Sequence, residues 1–162
     1  MKAILACALL GAAPALTLAE VVGVDITTRT DVKNGATFGD TGAYELLTGR
    51  IRFAVDPKNA RNQVIVDLDK APHNGAGKVE FSADLSILKP KDAAKGNGTL
   101  LLDVVNRGAK TVFRSFDHAV GNAEGDGMML RHGFTVVWVG WEFDAPQRDG
   151  LTGISVPAAA GA

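Results

Sequence analysis

Apolar and polar residues alternate along the first half of the chain, and the alternation predicts strands. Between Glu80 and Leu88 the odd positions up to Ile87 are apolar, and the even positions from Glu80 to Ser86 are polar. A period of two puts Phe81, Ala83, Leu85 and Ile87 on one face of a strand and leaves Ser82 and Ser86 on a wet face. Arg50-Ile51-Arg52-Phe53-Ala54-Val55 repeats the pattern and stops at Asp56-Pro57, and Val22, Val24 and Ile26 repeat it again. The shorter run Val64-Ile65-Val66-Asp67-Leu68 reads as one more strand. Strands of this kind pair antiparallel and bury one face. Their expected turns, at Asn34-Gly35, residues 58–62 and residues 73–77, are rich in Gly and Asn.

After Gly98 the pattern changes. Leu100-Leu101-Leu102-Asp103-Val104-Val105 and the run Phe134 to Trp141 are almost continuously apolar. Such runs suit parallel strands buried on both faces. Between them a short helix is expected from about Asp126 to His132, capped by Asp126 and ended by Gly133, with Arg131 and His132 against its negative end. The predicted fold class is therefore α/β: antiparallel strands followed by a parallel strand–helix–strand unit. One short helix cannot cover both faces of a parallel pair, and the chain closes on a loop-like Pro157–Ala162 segment, so the sheet is expected to be incomplete.

Composition narrows the class of protein. Met1-Lys2, the apolar Ala3–Ala13 stretch and the small residues Thr17 and Ala19 have the layout of a secretory signal peptide cut before Glu20. Residues 1–19 are read as that signal and residues 20–162 as one domain, exported to the periplasm or the extracellular space. Cys7, the one cysteine, would leave with the signal, so no internal disulfide is expected. The apolar stretch is shorter than the roughly 20 residues that span a bilayer, and no membrane partner is expected after the signal is removed. The 162 residues carry 17 Lys+Arg against 18 Asp+Glu, a net charge of −1 that gives no attraction to nucleic acid.

Several segments point to a family. They are Phe38-Gly39-Asp40-Thr41-Gly42-Ala43-Tyr44-Glu45-Leu46-Leu47-Thr48-Gly49, Phe53–Pro57, Ile65–Asp69, Val79–Asp84, Val105–Gly108 and Val136–Trp141. Across residues 21–150 the chain resembles the N-terminal region of a large family of bacterial α/β-hydrolase domain proteins. The resemblance implies the opening of an α/β-hydrolase sheet and an esterase-like serine hydrolase acting on a small-molecule carboxylic ester. It also implies that this chain stops before the turn carrying the nucleophile, and so is inactive as given. It places the strand at Phe134–Trp141 between the second strand and the strand at Thr99–Asn106, leaving Leu100–Val105 at an open edge.

The residues themselves offer little catalysis. There is no G-x-S-x-G, the motif that sets a serine on a sharp strand-to-helix turn. Ser115, Asp117 and His118 are close in sequence, but a triad draws its members from separate segments, so a loop is the better reading. His73 and His132 lack metal-ligand spacing, and no metal or cofactor is expected. Asp56, Asn59, Asn62, Asp67 and Asp69 lack the spacing of a calcium loop and read as a solvated turn. Asn97-Gly98-Thr99 is a formal glycosylation sequon, and Gly121, Gly125 and Gly127 do not form a nucleotide-binding glycine motif. Trp138 and Trp141 read as core and pocket wall. The resemblance marks Asn106, Arg107 and Gly108 as a candidate oxyanion loop, for which the residues alone offer an ordinary turn with Arg107 in a surface ion pair. The contrasting reading of the whole chain is a self-contained secreted β-rich binding or structural domain without catalysis.

Overall fold

The computed structural model describes residues 19–120, 124–146, 148 and 150–161; the signal-like segment lies outside them, apart from Ala19. The strands are β1 (Glu20–Asp31), β2 (Thr37–Phe38), β3 (Gly42–Val55), β4 (Val79–Pro90), β5 (Leu100–Asp103), β6 (Thr135–Val139) and β7 (Ile154–Ser155). Among the described residues two helices, α1 (Val112–Phe116) and α2 (Met128–Arg131), lie between β5 and β6. The strands form one seven-stranded mixed sheet in the order β1-β3-β4-β6-β5, with β2 on β3 and β7 on β4.

The alternating segments do form antiparallel strands, in register from Tyr44 opposite Pro90 to Val55 opposite Val79. Phe53 and Phe81, directly opposite, stack with ring centroids 4.9 Å apart. β6 lies between β4 and β5 and pairs parallel with β5, so among the described residues the Leu100–Asp103 strand is at the sheet edge and the Thr135–Val139 strand is internal, as expected.

The fold class does not. The expected α/β sheet with a parallel strand–helix–strand unit is overturned: the chain is mostly β, and α1 and α2 are helices of 5 and 4 residues. A parallel pair needs a crossover of a dozen or more residues, which is commonly a helix. Here a loop-rich segment supplies it. Gly127 enters α2 in a left-handed conformation and Gly133 leaves it likewise, so the helix has room for one turn. Asp126 Oδ1 does accept from Met128 N at 2.8 Å.

Burial also departs from the strand pattern. Val64 and Val66 are exposed in a turn rather than a strand, because the segment between β3 and β4 spends its polar groups on local turns. Val22, Val24 and Ile26 are exposed on an edge strand whose alternation is broken by register shifts at Val21/Gly23 and Ile26/Thr28. Leu100 and Leu102 are exposed, so β5 is not buried on both faces. Ser86, expected on the wet face, is buried. The β5–β6 connection explains this: α1 and α2 fold back over the even-numbered face of β4. There Tyr44, Leu88, Val105, Val112, Met129, Leu130, Val136 and Trp138 form the core.

Candidate functional site

One row of residues crosses the sheet on that face. Thr28 on β1 is opposite Thr48 on β3, Thr48 is opposite Ser86 on β4, Ser86 is opposite Trp138 on β6, and Trp138 is opposite Asp103 on β5. Cross-strand partners stand side by side on one face of a sheet, so five strands place these side chains in line. The Thr28 and Thr48 hydroxyls are hydrogen-bonded to one another.

Asp103 anchors the row at its β5 end. Its Oδ2 accepts from Trp138 Nε1 at 2.7 Å, Thr111 N at 2.8 Å and Val112 N at 2.9 Å, and its Oδ1 accepts from the Thr111 hydroxyl at 3.1 Å. The carboxylate thereby ties β5, the start of α1 and β6 together, and it fixes the indole plane.

Lys110 reaches down onto the row from the loop before α1. Its Nζ lies 4.9 Å from the centre of the Trp138 ring and donates to Ser86 Oγ at 2.9 Å. A cation over an indole face is attracted by the ring quadrupole. Burial of the side chain pushes its pKa below the ordinary lysine value, because desolvation disfavours the charged form. No carboxylate pairs with Lys110 among the described residues.

Above Ser86 and Lys110 is a cleft of about 580 Å³, also lined by Thr48, Arg50, Asp84 and Arg148. Asp84 is engaged: it pairs with Arg50 at 3.3 Å and accepts from Gly153 N at 3.0 Å. Arg50 also donates to Ser82 Oγ at 2.9 Å.

The residues singled out from the sequence lie elsewhere. Asn106 and Ala109 exchange backbone hydrogen bonds around a two-residue turn in which Arg107 and Gly108 have positive φ. Two such residues in succession make a tight hairpin-type turn that favours glycine. Arg107 pairs with Asp144 at 2.8 Å on the surface, and the Gly108 carbonyl accepts from Thr152 N at 3.0 Å. Ser115 donates back to Thr111 O within its own helix turn, Asp117 Oδ2 accepts from Met129 N, and His118 is exposed. The three are not assembled.

His73 and His132 are exposed, far apart in the chain on a bridge and a helix end. Asp56 accepts from Lys58 N, and Asp67 pairs with Lys70, so these acidic residues serve their own turns. Trp138 is core, whereas Trp141 is exposed and donates to Val105 O at 2.7 Å. No helix among the described residues is long and apolar enough to cross a membrane.

Ser86 and Lys110 were missed because 24 residues separate them and neither belongs to a local motif. The one available signal is that an even-face serine and a tryptophan fall opposite each other once strand order and register are known. No family model, curated protein or solved structure matches the chain.

Proposed function

We propose that this β-rich chain is a binding domain for a small molecule bearing an oxyanion, a carboxylate or a phosphate, held in the cleft over Ser86. The observation that carries this reading is Lys110, a desolvated cation at the cleft floor whose described partners are a hydroxyl and an indole face. Arg50 and Arg148 add positive charge against the single acid Asp84. A cation withdrawn from water gains more from an incoming anion than an exposed one does. Titration with succinate and with inorganic phosphate at low ionic strength, followed by NMR, tests the reading. Saturable shifts are expected in Ser86, Lys110 and Trp138, and Lys110→Met should weaken binding at least about 10-fold. No saturable binding by the intact protein overturns it.

A second reading is that the chain is part of a larger, secreted serine ester hydrolase whose nucleophile lies on further strands. One observation favours it: among the described residues β5 pairs only with β6 and presents Leu100 and Leu102 uncovered, an edge that invites another strand. In that reading the N–H of Gly108 donates to the oxyanion, and Gly108→Pro, which removes it, abolishes turnover in the complete enzyme. Full activity of a folded Gly108→Pro enzyme refutes that role. Export belongs to both readings; exported material should begin at or within a residue or two of Glu20 by N-terminal sequencing, and retention of Met1 refutes it.

A further inference from the structure

We propose that Ser86 and Lys110 form a nucleophile–base pair that transfers the acyl group of a carboxylic ester carrying a second, anionic group. The inference rests on the reading of the cleft as an oxyanion site and adds a reaction to it. The pair uses no G-x-S-x-G turn.

The geometry supplies the parts. A nucleophile and its base must lie within hydrogen-bond reach, with the base oriented by a third group. Nζ and Oγ are 2.9 Å apart. Lys110 is oriented by the Trp138 ring, and Trp138 by Asp103 at 2.7 Å. Trp138 and Asp103 are thus positioning residues. Withdrawal from water favours the uncharged form of a lysine and so its use as a base, and burial does lower the pKa of Lys110.

The charged groups around it are Arg50 on β3, Asp84 on β4, Arg148 in the C-terminal segment, and Asp103 on β5, bonded to the indole. Arg50 is engaged by Asp84 and Ser82, which leaves Arg148 to hold the anionic end of the substrate.

The steps balance. In the fraction of the protein with Lys110 deprotonated, which burial of its side chain enlarges, the Lys110 amine takes the proton from Ser86 Oγ as Oγ bonds to the ester carbonyl carbon. The tetrahedral adduct collapses, the carbon–oxygen bond to the alcohol breaks, and the Lys110 ammonium returns its proton to the leaving oxygen. Water, losing a proton to Lys110, then attacks the acyl-serine. The carboxylic acid departs and Ser86 recovers its proton. The net reaction is ester plus water giving acid plus alcohol.

The test uses mono(4-nitrophenyl) succinate as the anionic ester and 4-nitrophenyl acetate as the neutral one. Expected is a burst of nitrophenolate stoichiometric with protein, larger for the anionic ester, with one acyl group on the peptide that contains Ser86. Ser86→Ala should abolish the burst. Lys110→Met should slow acylation at least about 100-fold, and Lys110→Arg should not restore it, because a guanidinium cannot be deprotonated. The acylation rate should rise with pH along an inflection below the ordinary lysine range.

Because either substitution can disturb the sheet, Ser86→Cys serves as a second variant and should still be acylated. Succinate binding without acylation overturns the nucleophile–base pair and leaves the binding reading standing. Absence of both overturns both. Acylation at Lys110 itself, or a burst that survives Ser86→Ala, overturns the assignment of Ser86.

Discussion

Trp138 donates its indole N–H to Asp103 Oδ2 at 2.7 Å, across the parallel pair formed by β5 and β6. The same oxygen accepts the N–H groups of Thr111 and Val112. Asp103→Ala strands three N–H donors and the Thr111 hydroxyl, each buried and unsatisfied donor costing roughly 1–3 kcal/mol. The variant should lose about 3 kcal/mol or more in urea unfolding, with Asp103→Asn losing less. An Asp103→Ala protein as stable as the parent would show that the carboxylate is not the tie.

Glu45 is a buried carboxylate held by Arg29 at 2.6 Å and Lys89 at 2.7 Å. The Lys89 hydrogen bond, and after it that of Arg29, keeps its pKa below the ordinary value of about 4.5 against the opposing effect of burial. A depressed folded value means its stabilisation is complete above the unfolded value and is lost as pH falls through the folded one. Glu45→Gln should cost about 1–3 kcal/mol near neutrality and show a weaker loss on acidification. Parallel stability–pH curves for the two proteins would contradict this.

Asp117 has the opposite sign. It is fully buried, its Oδ1 has no hydrogen-bond partner among the described residues, and burial raises its pKa despite the Met129 N–H bond. A raised folded value contributes stability that is present below the unfolded value and lost as pH rises through the folded one. Asp117→Asn keeps an acceptor for Met129 and removes the charge. It should stabilise the protein at neutral pH by an amount that vanishes on acidification, measured by thermal melts across pH.

Gly140 has a packing role. A Cβ there would come within 2.0 Å of Gly153 O, backbone that cannot step aside, whereas a Cβ at Gly75 meets nothing within 4 Å. Gly140→Ala should destabilise by about 1–3 kcal/mol through forced backbone shifts. Gly75→Ala should be neutral or stabilise by up to about 1 kcal/mol by restricting the unfolded chain. Chemical denaturation of the pair decides whether the C-terminal segment is docked this closely.

The edge at β5 makes a prediction about association. Leu100 is 61% and Leu102 56% exposed on a strand paired on one side. The protein should associate with rising concentration in sedimentation experiments, and Leu102→Lys should reduce that association, since charge on an edge opposes strand pairing. Unchanged association would place the contact elsewhere.

The strands were largely legible in the sequence. Period-two alternation located β3 and β4 because each strand's own neighbours suffice to mark two faces, and continuous apolar runs located β5 and β6. Turn-forming Asn and Gly marked the turn at Asn34-Gly35, and capping residues marked the helix near Asp126, for the same reason. What covers a face is decided by segments distant in the chain. Ser86 reads as wet from its polar neighbours, yet the connection carrying α1 and α2 buries it.

Fold class failed on the same ground: the apolar runs require a crossover, but not that it be helical, and a chain with left-handed glycines at 127 and 133 closes it with loops. Most of all, the candidate site depends on register. Thr48, Ser86, Trp138 and Asp103 become neighbours only once four strands are aligned, and Lys110 meets Ser86 only when its loop folds over that row. A pattern of polarity specifies which residues face the same way; only tertiary structure specifies which of them touch.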